Sequence, residues 1–260
     1  MNYGKKSASK KRNSLISRSS MMGKRAHVSF IRVLFIGLIA LCVAVSSLGI
    51  GSIRGILANT PDVDEVDIMP LGYATFLYDC NGNQIRKLAA PNANRLPVSI
   101  DQIPEDLQHA VVAIEDERFY EHNGIDVRGI LRAGVKALTT GSFSEGASTI
   151  TQQLARNIFL TQEKTWERKI EEIFIATEME RLYTKNQILE YYLNNIYFGN
   201  GYYGIQAASK GYFNTEVKNL DLSQIAFLCA IPNRPTLYDP VTHIDNTIKR
   251  RNRILNQMKE

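Results

Sequence analysis

The stretch AIEDERFYEHNGID, residues 113–126, closes an apolar helical pattern with a dense set of ionisable groups. Ile103, Leu107, Val111 and Ile114 repeat at helical spacing, with Pro104 near the first turn, where its missing N–H costs little. Glu115, Asp116 and Glu117 follow at once. Glu115 is the next residue round from the apolar stripe, so it falls at the edge between core and solvent. Partial burial there raises a carboxyl pKa and makes a better base, and two neighbouring carboxylates push the same way. The plainer reading is that acidic residues solvate a helix end. They stand at the wrong end for that purpose, because negative charge at a helix C-terminus is disfavoured. On spacing alone both readings stand.

Helical patterns continue downstream. A helix is expected over 127–138, then a Gly/Ser/Thr-rich loop over 139–147 that includes Phe143; core packing is the expectation for most of their apolar residues, and a dip into a lipid surface the alternative. Ser148 or Thr149 starts the next helix, with Thr149 and Gln152 spaced as a capping box. A long helix is expected over 165–183, with Trp166, Ile170, Ile173, Phe174 and Thr177 on one face. Another carries Ile188, Leu189, Tyr192, Leu193 and Ile196. Shorter helices fit 204–213, 221–230 and 244–259, the second of these opened by Asp221 with Gln224. Upstream, TFLYDCNGNQIRKL reads as two short strands around Asn81-Gly82. The domain is therefore mostly α, preceded by a short extended segment.

The formal charge of +5 is unevenly spread. Ten Lys or Arg and no acid precede Asp62, so the remaining chain is mildly acidic and the basic balance belongs to the tail. A nucleic-acid partner is not implied. The cysteines, Cys42, Cys80 and Cys229, form no C-x-x-C, and neither a disulfide framework nor a zinc site follows from them. Residues 33–51, VLFIGLIALCVAVSSLGIG, carry no charge and span about 28 Å as a helix, close to the roughly 30 Å of bilayer hydrocarbon. Basic residues crowd the upstream flank and acids the downstream one. The positive-inside rule then predicts a single-pass cell-membrane protein with a cytoplasmic N-terminus and an extracytoplasmic domain; the alternative is a cleaved signal peptide, against which stand the long charged leader and the lack of a clean small-x-small site after the apolar run. The expected partition is a cytoplasmic basic tail over 1–32, disordered in its first 27 residues, and an anchor over 33–53. A linker with a hairpin over 54–99 and a catalytic domain over 100–260 follow.

Two further segments carry candidate chemistry. GASTITQQLARN, residues 146–157, gathers hydroxyls, amides and a cation at a helix start, an arrangement suited to phosphate and equally to an ordinary cap. WERKIEEIF, residues 166–174, spaces Arg168 and Lys169 four and three residues from Glu172; alone, it would be a surface ion pair.

Together the three segments resemble the peptidoglycan glycosyltransferase family, the lysozyme-like transglycosylase module of class A penicillin-binding proteins and monofunctional transglycosylases. The family pattern E-D-x-x-F-x-x-H-x-G-I-D is matched from Glu115 to Asp126. G-G-S-T-I-T-Q-Q-L-x-K-N is matched from Gly146 to Asn157, with Ala147 for a Gly and Arg156 for the usual Lys; R-K-x-x-E is Arg168 to Glu172. Residues 185–213, and IPNRPTLYDP with RRNRIL within 231–254, resemble two further motifs. No S-x-x-K, S-x-N and K-T-G set of a transpeptidase accompanies them, so a monofunctional enzyme and part of a bifunctional one both fit.

The resemblance implies polymerisation of lipid II into glycan strands, with inversion and release of undecaprenyl pyrophosphate. It implies Glu115 as general base and Glu172 as the second catalytic carboxylate, in the donor site. Arg156, Arg168 and Lys169 would stabilise the pyrophosphate, Ser148, Gln153 and Asn157 would add polar donor-site contacts, and Asp116, Phe119 and His122 would join them as substrate-binding residues. Implied partners are lipid II, the nascent strand, the membrane, and a transpeptidase with other cell-wall synthesis proteins. No cofactor is required by the pattern; a divalent cation, Mg²⁺ or Mn²⁺, is a candidate bridge on the pyrophosphate, with no dedicated protein cage for it. A glycan hydrolase and a non-catalytic cell-wall scaffold are the rival readings.

Overall fold

The computed structural model describes residues 4–58, 60–61, 63, 75–88, 95–141, 146–160, 163 and 165–258. The chain divides into two units, residues 1–58 and 59–260. The first is a single helix, α1, Gly4–Leu57. Its part from Arg32 to Leu57 has a mean hydropathy of 2.7 and is long and apolar enough to cross a membrane. The basic stretch expected to be disordered is helical from Gly4 onward. Lys and Arg are good helix formers, and no proline precedes Pro61 to interrupt them.

The second unit opens with the antiparallel pair β1 (Thr75–Tyr78) and β2 (Gln84–Leu88). Their turn is held by Asp79, whose Oδ1 accepts from the N–H groups of Asn81 and Asn83 at 2.9 and 2.7 Å, while Gly82 takes φ +81°. Helices follow: α2 (Glu105–Glu115), α3 (Val127–Thr140), α4 (Ile150–Phe159), α5 (Trp166–Leu182), α6 (Lys185–Asn195), α7 (Ile205–Phe213), α8 (Leu222–Ala230) and α9 (Ile244–Gln257). The unit is mostly α, as expected of a lysozyme-like domain. α4 lies against α5 and α6, while α2 packs on α8, which packs on α9. Leu107, Ile150, Leu154, Met179, Leu189 and Leu193 are fully buried where these helices meet.

Capping explains why the helices begin where they do. Thr149, Thr184 and Asp221 each accept from the backbone N–H three residues on, and Gln152, Gln187 and Gln224 return the bond. The 122–126 turn depends on a glycine. Gly124 has φ +83°, and a Cβ there would lie 2.8 Å from the carbonyl oxygen of Ala176 in α5. Strain and overlap act together, so Gly124→Ala should destabilise the domain by about 2–4 kcal/mol. Thermal or urea unfolding of the variant checks this; an unchanged midpoint would mean the 122–126 turn is not held against α5.

Two expectations of burial fail. α5 does not bury the Trp166 and Phe174 face: Trp166 is 85% exposed. It buries Glu172, Ile175, Ala176 and Met179 instead. A hydrophobic pattern counts Glu172 as solvent-facing, but two cations accompany it inward. α3 is the second case. Core packing was the expectation for its apolar residues, yet among the helix's residues only Gly129 is buried. Val127, Ile130, Leu131, Val135 and Leu138 form an exposed apolar stripe. The helix is tied at its N-terminal end, with Asp126 capping Gly129 N–H at 2.9 Å and pairing with Arg118. Phe143 lies outside the described residues.

Candidate active site

Glu115 is the last residue of α2 and is half-buried. Its Oε2 accepts from Gln153 Nε2 at 3.0 Å, and Oε1 is buried with no hydrogen-bond partner. Burial pushes the carboxyl pKa above its ordinary value. The Gln153 bond and the charges of Arg250 and Arg156 pull the other way, and Asp116 adds to the rise. Tyr192, fully buried in α6, donates from its hydroxyl to Gln153 Oε1 at 3.3 Å, which leaves the amide N–H₂ facing Glu115. Beneath lies an apolar floor that includes Val111, Phe198 and Cys229. Burial pushes the Cys229 thiol up to about 12, so it acts as a small hydrophobe.

The raised pKa has two consequences with defined signs. A base must be ionised to work, so the acid limb of the rate profile should lie above the ordinary Glu range. For stability, a folded-state pKa above the unfolded one gives a contribution present below the unfolded value and lost as pH rises through the folded value. Wild type should therefore lose stability relative to Glu115→Gln as pH rises through and above the ordinary Glu range. Thermal melts of both proteins across that window test it, and parallel curves would count against burial as the cause.

Asp116 is buried and uses both oxygens. His122 Nε2 lies 2.9 and 3.0 Å from Oδ1 and Oδ2, and Oδ2 also accepts from the N–H of Ile150, the first residue of α4, at 3.0 Å. The carboxylate that closes α2 thus sits at the N-terminus of α4, where negative charge is favoured. That resolves the charge placed at the wrong helix end. Phe119 is fully buried under Lys185, whose Nζ lies 4.4 Å from the ring centroid. Lys185 also donates to the carbonyl of His122 at 2.6 Å. Phe119 and His122 therefore face the interior, not a substrate, and with Asp116 they fix the end of α2 that carries Glu115. Thr149 adds a bond of 2.7 Å to the carbonyl of Gly124.

Glu172 is fully buried. Arg168 donates to its Oε2 at 2.7 Å, and Lys169 pairs with its Oε1. Lys169 also donates to Ser148 Oγ at 3.0 Å and to Gln152 Oε1 at 3.3 Å. Glu172 is thus enclosed by its own helix and its neighbours; it holds two cations and, through Lys169, the loop before α4. Ala147 keeps a negative φ, so replacing a glycine there adds no backbone strain.

Two clefts lie on either side of the Glu115–Gln153 hydrogen bond, Glu115 lining one and Gln153 the other. The first, about 440 Å³, is lined by Glu115, Glu117, Arg132, Ser148, Asn233 and Arg250 among others. The second, about 510 Å³, is lined by Gln153, Arg156, Asn157 and Arg168, together with Arg95, Asn195, Tyr197 and Tyr203. No Asp or Glu lines it among the described residues. Arg95, Arg132, Asn233 and Arg250 had no assigned role in the sequence; Arg250 and Asn233 lay inside recognised motifs, whereas Arg95 lay in none. Among the described residues no three His, Cys, Asp or Glu side chains cluster as metal ligands.

A family model described as Transglycosylase matches residues 81–259, most of the chain. The chain belongs to the transglycosylase family. Penicillin-binding protein 1F of Bacillus subtilis (strain 168) is 46% identical over 227 residues, covering 87% of this chain and 31% of that protein. Penicillin-binding protein 4 of the same organism is 40% identical, covering 80% and 33%. Penicillin-binding protein 1A of Escherichia coli (strain K12) is 43% identical, covering 81% and 25%. This transglycosylase chain thus spans between a quarter and a third of the length of these relatives. The match takes in β2 as well as α2 to α9, so the family domain includes part of the hairpin.

Proposed function

We propose that this transglycosylase is a peptidoglycan glycosyltransferase that polymerises lipid II. The observation that carries the reading is the hydrogen bond between Glu115, a desolvated carboxylate lining one cleft, and Gln153, which lines a cleft with three arginines and, among the described residues, no acid. The acceptor's 4-hydroxyl occupies the first cleft and gives its proton to Glu115. The hydroxyl oxygen bonds to the donor's anomeric carbon as the bond from that carbon to the pyrophosphate oxygen breaks. Attack opposite the leaving group inverts the α-linked donor to a β-linked product. Undecaprenyl pyrophosphate leaves with the electron pair, and Arg156, Arg168 and Lys169 balance its charge. Gln153 and Asn157 supply neutral donors along the same cleft, and Ser148 fixes Lys169. The cleft residues offer no metal cage, so Mg²⁺ or Mn²⁺, where it takes part, would be held chiefly by phosphate oxygens and water.

The substrate's lipid tail calls for a membrane-bound enzyme. The apolar part of α1 supports a single anchor, with the basic flank cytoplasmic and the domain outside. The exposed stripe of α3, bordered by Arg128, Arg132 and Lys136, has the character of a helix that lies in a lipid surface. A glycan hydrolase needs two accessible carboxylates flanking the bond; Glu172, the second carboxylate of the motif set, is buried and paired. Incubating the purified protein with lipid II in detergent or liposomes tests the proposal. Glycan strands and free undecaprenyl pyrophosphate are the expected products. Cleavage of preformed glycan without polymerisation would favour the hydrolase, and absence of both activities the scaffold.

A further inference from the structure

Arg95 belongs to none of the recognised motifs, and it precedes the first catalytic-domain helix by ten residues. The fold nonetheless delivers it to the cation-lined cleft. The backbone of Arg95 forms a parallel bridge with Tyr203, in the loop after α6. Its guanidinium carbon lies 4.5 Å from the centroid of the Tyr203 ring. The segment that follows is fastened to α6 by the buried Asn194, whose Oδ1 accepts from Val98 N–H at 2.9 Å and whose Nδ2 donates to Val98 O at 2.8 Å. Glu190 adds a third tie, accepting from Ile100 N–H at 2.8 Å. Arg95 is therefore positioned by its own backbone bridge and by the ties of the segment after it, and its aromatic platform orients the planar head.

We propose that Arg95 is a substrate-binding residue that holds an anionic oxygen of the donor in this cleft. Three guanidiniums, from Arg95, Arg156 and Arg168, line this cleft, and its lining holds no carboxylate among the described residues. Arg168 is already neutralised by Glu172, so a ligand with several negative charges needs more cation than the motif residues alone supply. A stacked arginine presents its fork at low entropic cost, and forked donors suit phosphate and carboxylate oxygens alike. Asn195 and Tyr197 add neutral polar groups beside it. The inference rests on the glycosyltransferase reading above and adds to it a residue from outside the motifs.

The test compares full-length wild type, Arg95→Ala and Arg95→Lys in liposomes containing lipid II. Arg95→Ala should raise KM for lipid II about tenfold while kcat changes less than about twofold, because the contact is to a bound group distant from the base. Arg95→Lys should recover part of the KM, since the charge returns without the planar fork. Tyr203→Leu, which removes the platform and leaves the charge, should also raise KM, by a smaller factor. Melting curves for each variant establish that the domain is folded. A second substrate, the same lipid-linked disaccharide without its peptide, distinguishes the source of the anion. If the Arg95→Ala effect persists on it, Arg95 binds the pyrophosphate; if it vanishes, Arg95 binds a peptide carboxylate. An unchanged KM on both substrates in an otherwise active, folded variant overturns the inference and leaves the glycosyltransferase reading intact. Failure of wild type to polymerise lipid II would overturn that reading itself.

Discussion

Glu115→Gln should reduce lipid II polymerisation by about 10²–10⁴-fold while the protein remains folded. Glutamine has nearly the same shape and can still bond to Gln153, so the packing around α2 is preserved. What it cannot do is accept the hydroxyl proton. Oε1 of Glu115 is buried with no partner, the one oxygen of the carboxylate left to receive it. Loss of rate with retained substrate binding is the expected signature, measured by single-turnover kinetics alongside a binding titration. Polymerisation at even a tenth of the wild-type rate by the folded variant would remove the carboxylate from the chemistry. Activity should also vanish in wild type on acidification, with the midpoint above the ordinary Glu range because burial raises the pKa.

Glu172→Ala is expected to have the largest effect on stability. Removing one partner from a buried pair leaves the other charged groups without compensation, at a cost of about 3–5 kcal/mol. Here two cations lose their partner at once, although Lys169 retains a third of its side-chain exposure and softens the loss. About 3 kcal/mol and a fall in melting temperature of several degrees are expected, together with loss of polymerisation because Arg168 and Lys169 no longer point into place. Glu172→Gln should fall between, since an amide still accepts one bond. A Glu172→Ala protein that melts like wild type would show that the two cations find other partners. A protein that is as stable and as active as wild type would return Glu172 to the status of a surface residue.

The helices were legible in the sequence because their signals are local. Thr149 with Gln152 and Asp221 with Gln224 announce helix starts by the same bonds the folded chain makes. The stripe from Ile103 to Ile114 gave α2, and its edge gave Glu115. What escaped was whatever depends on partners distant in the chain. The burial of Glu172 needs Arg168 and Lys169 on its own helix but also a core formed by α4 and α6, and a pattern that scores Glu as polar turns the helix to the wrong face. The exposure of α3 escaped for the opposite reason: an amphipathic stripe states that a face wants covering, not what covers it. Asp116, Phe119 and His122 were read as substrate contacts because they share a motif with Glu115; proximity in the chain did not reveal that they face inward. Arg95 reaches the cleft through contacts with residues about a hundred positions later, which no local pattern encodes.

The bond from Ile150 N–H to Asp116 has a consequence for timing. Glu115 lies one residue before that carboxylate and Gln153 three residues after that amide, so a single short clamp gears the proton acceptor to the helix that also bears Arg156. In the proposed reaction, nucleophile activation and leaving-group departure would be coupled through this stiff internal linkage.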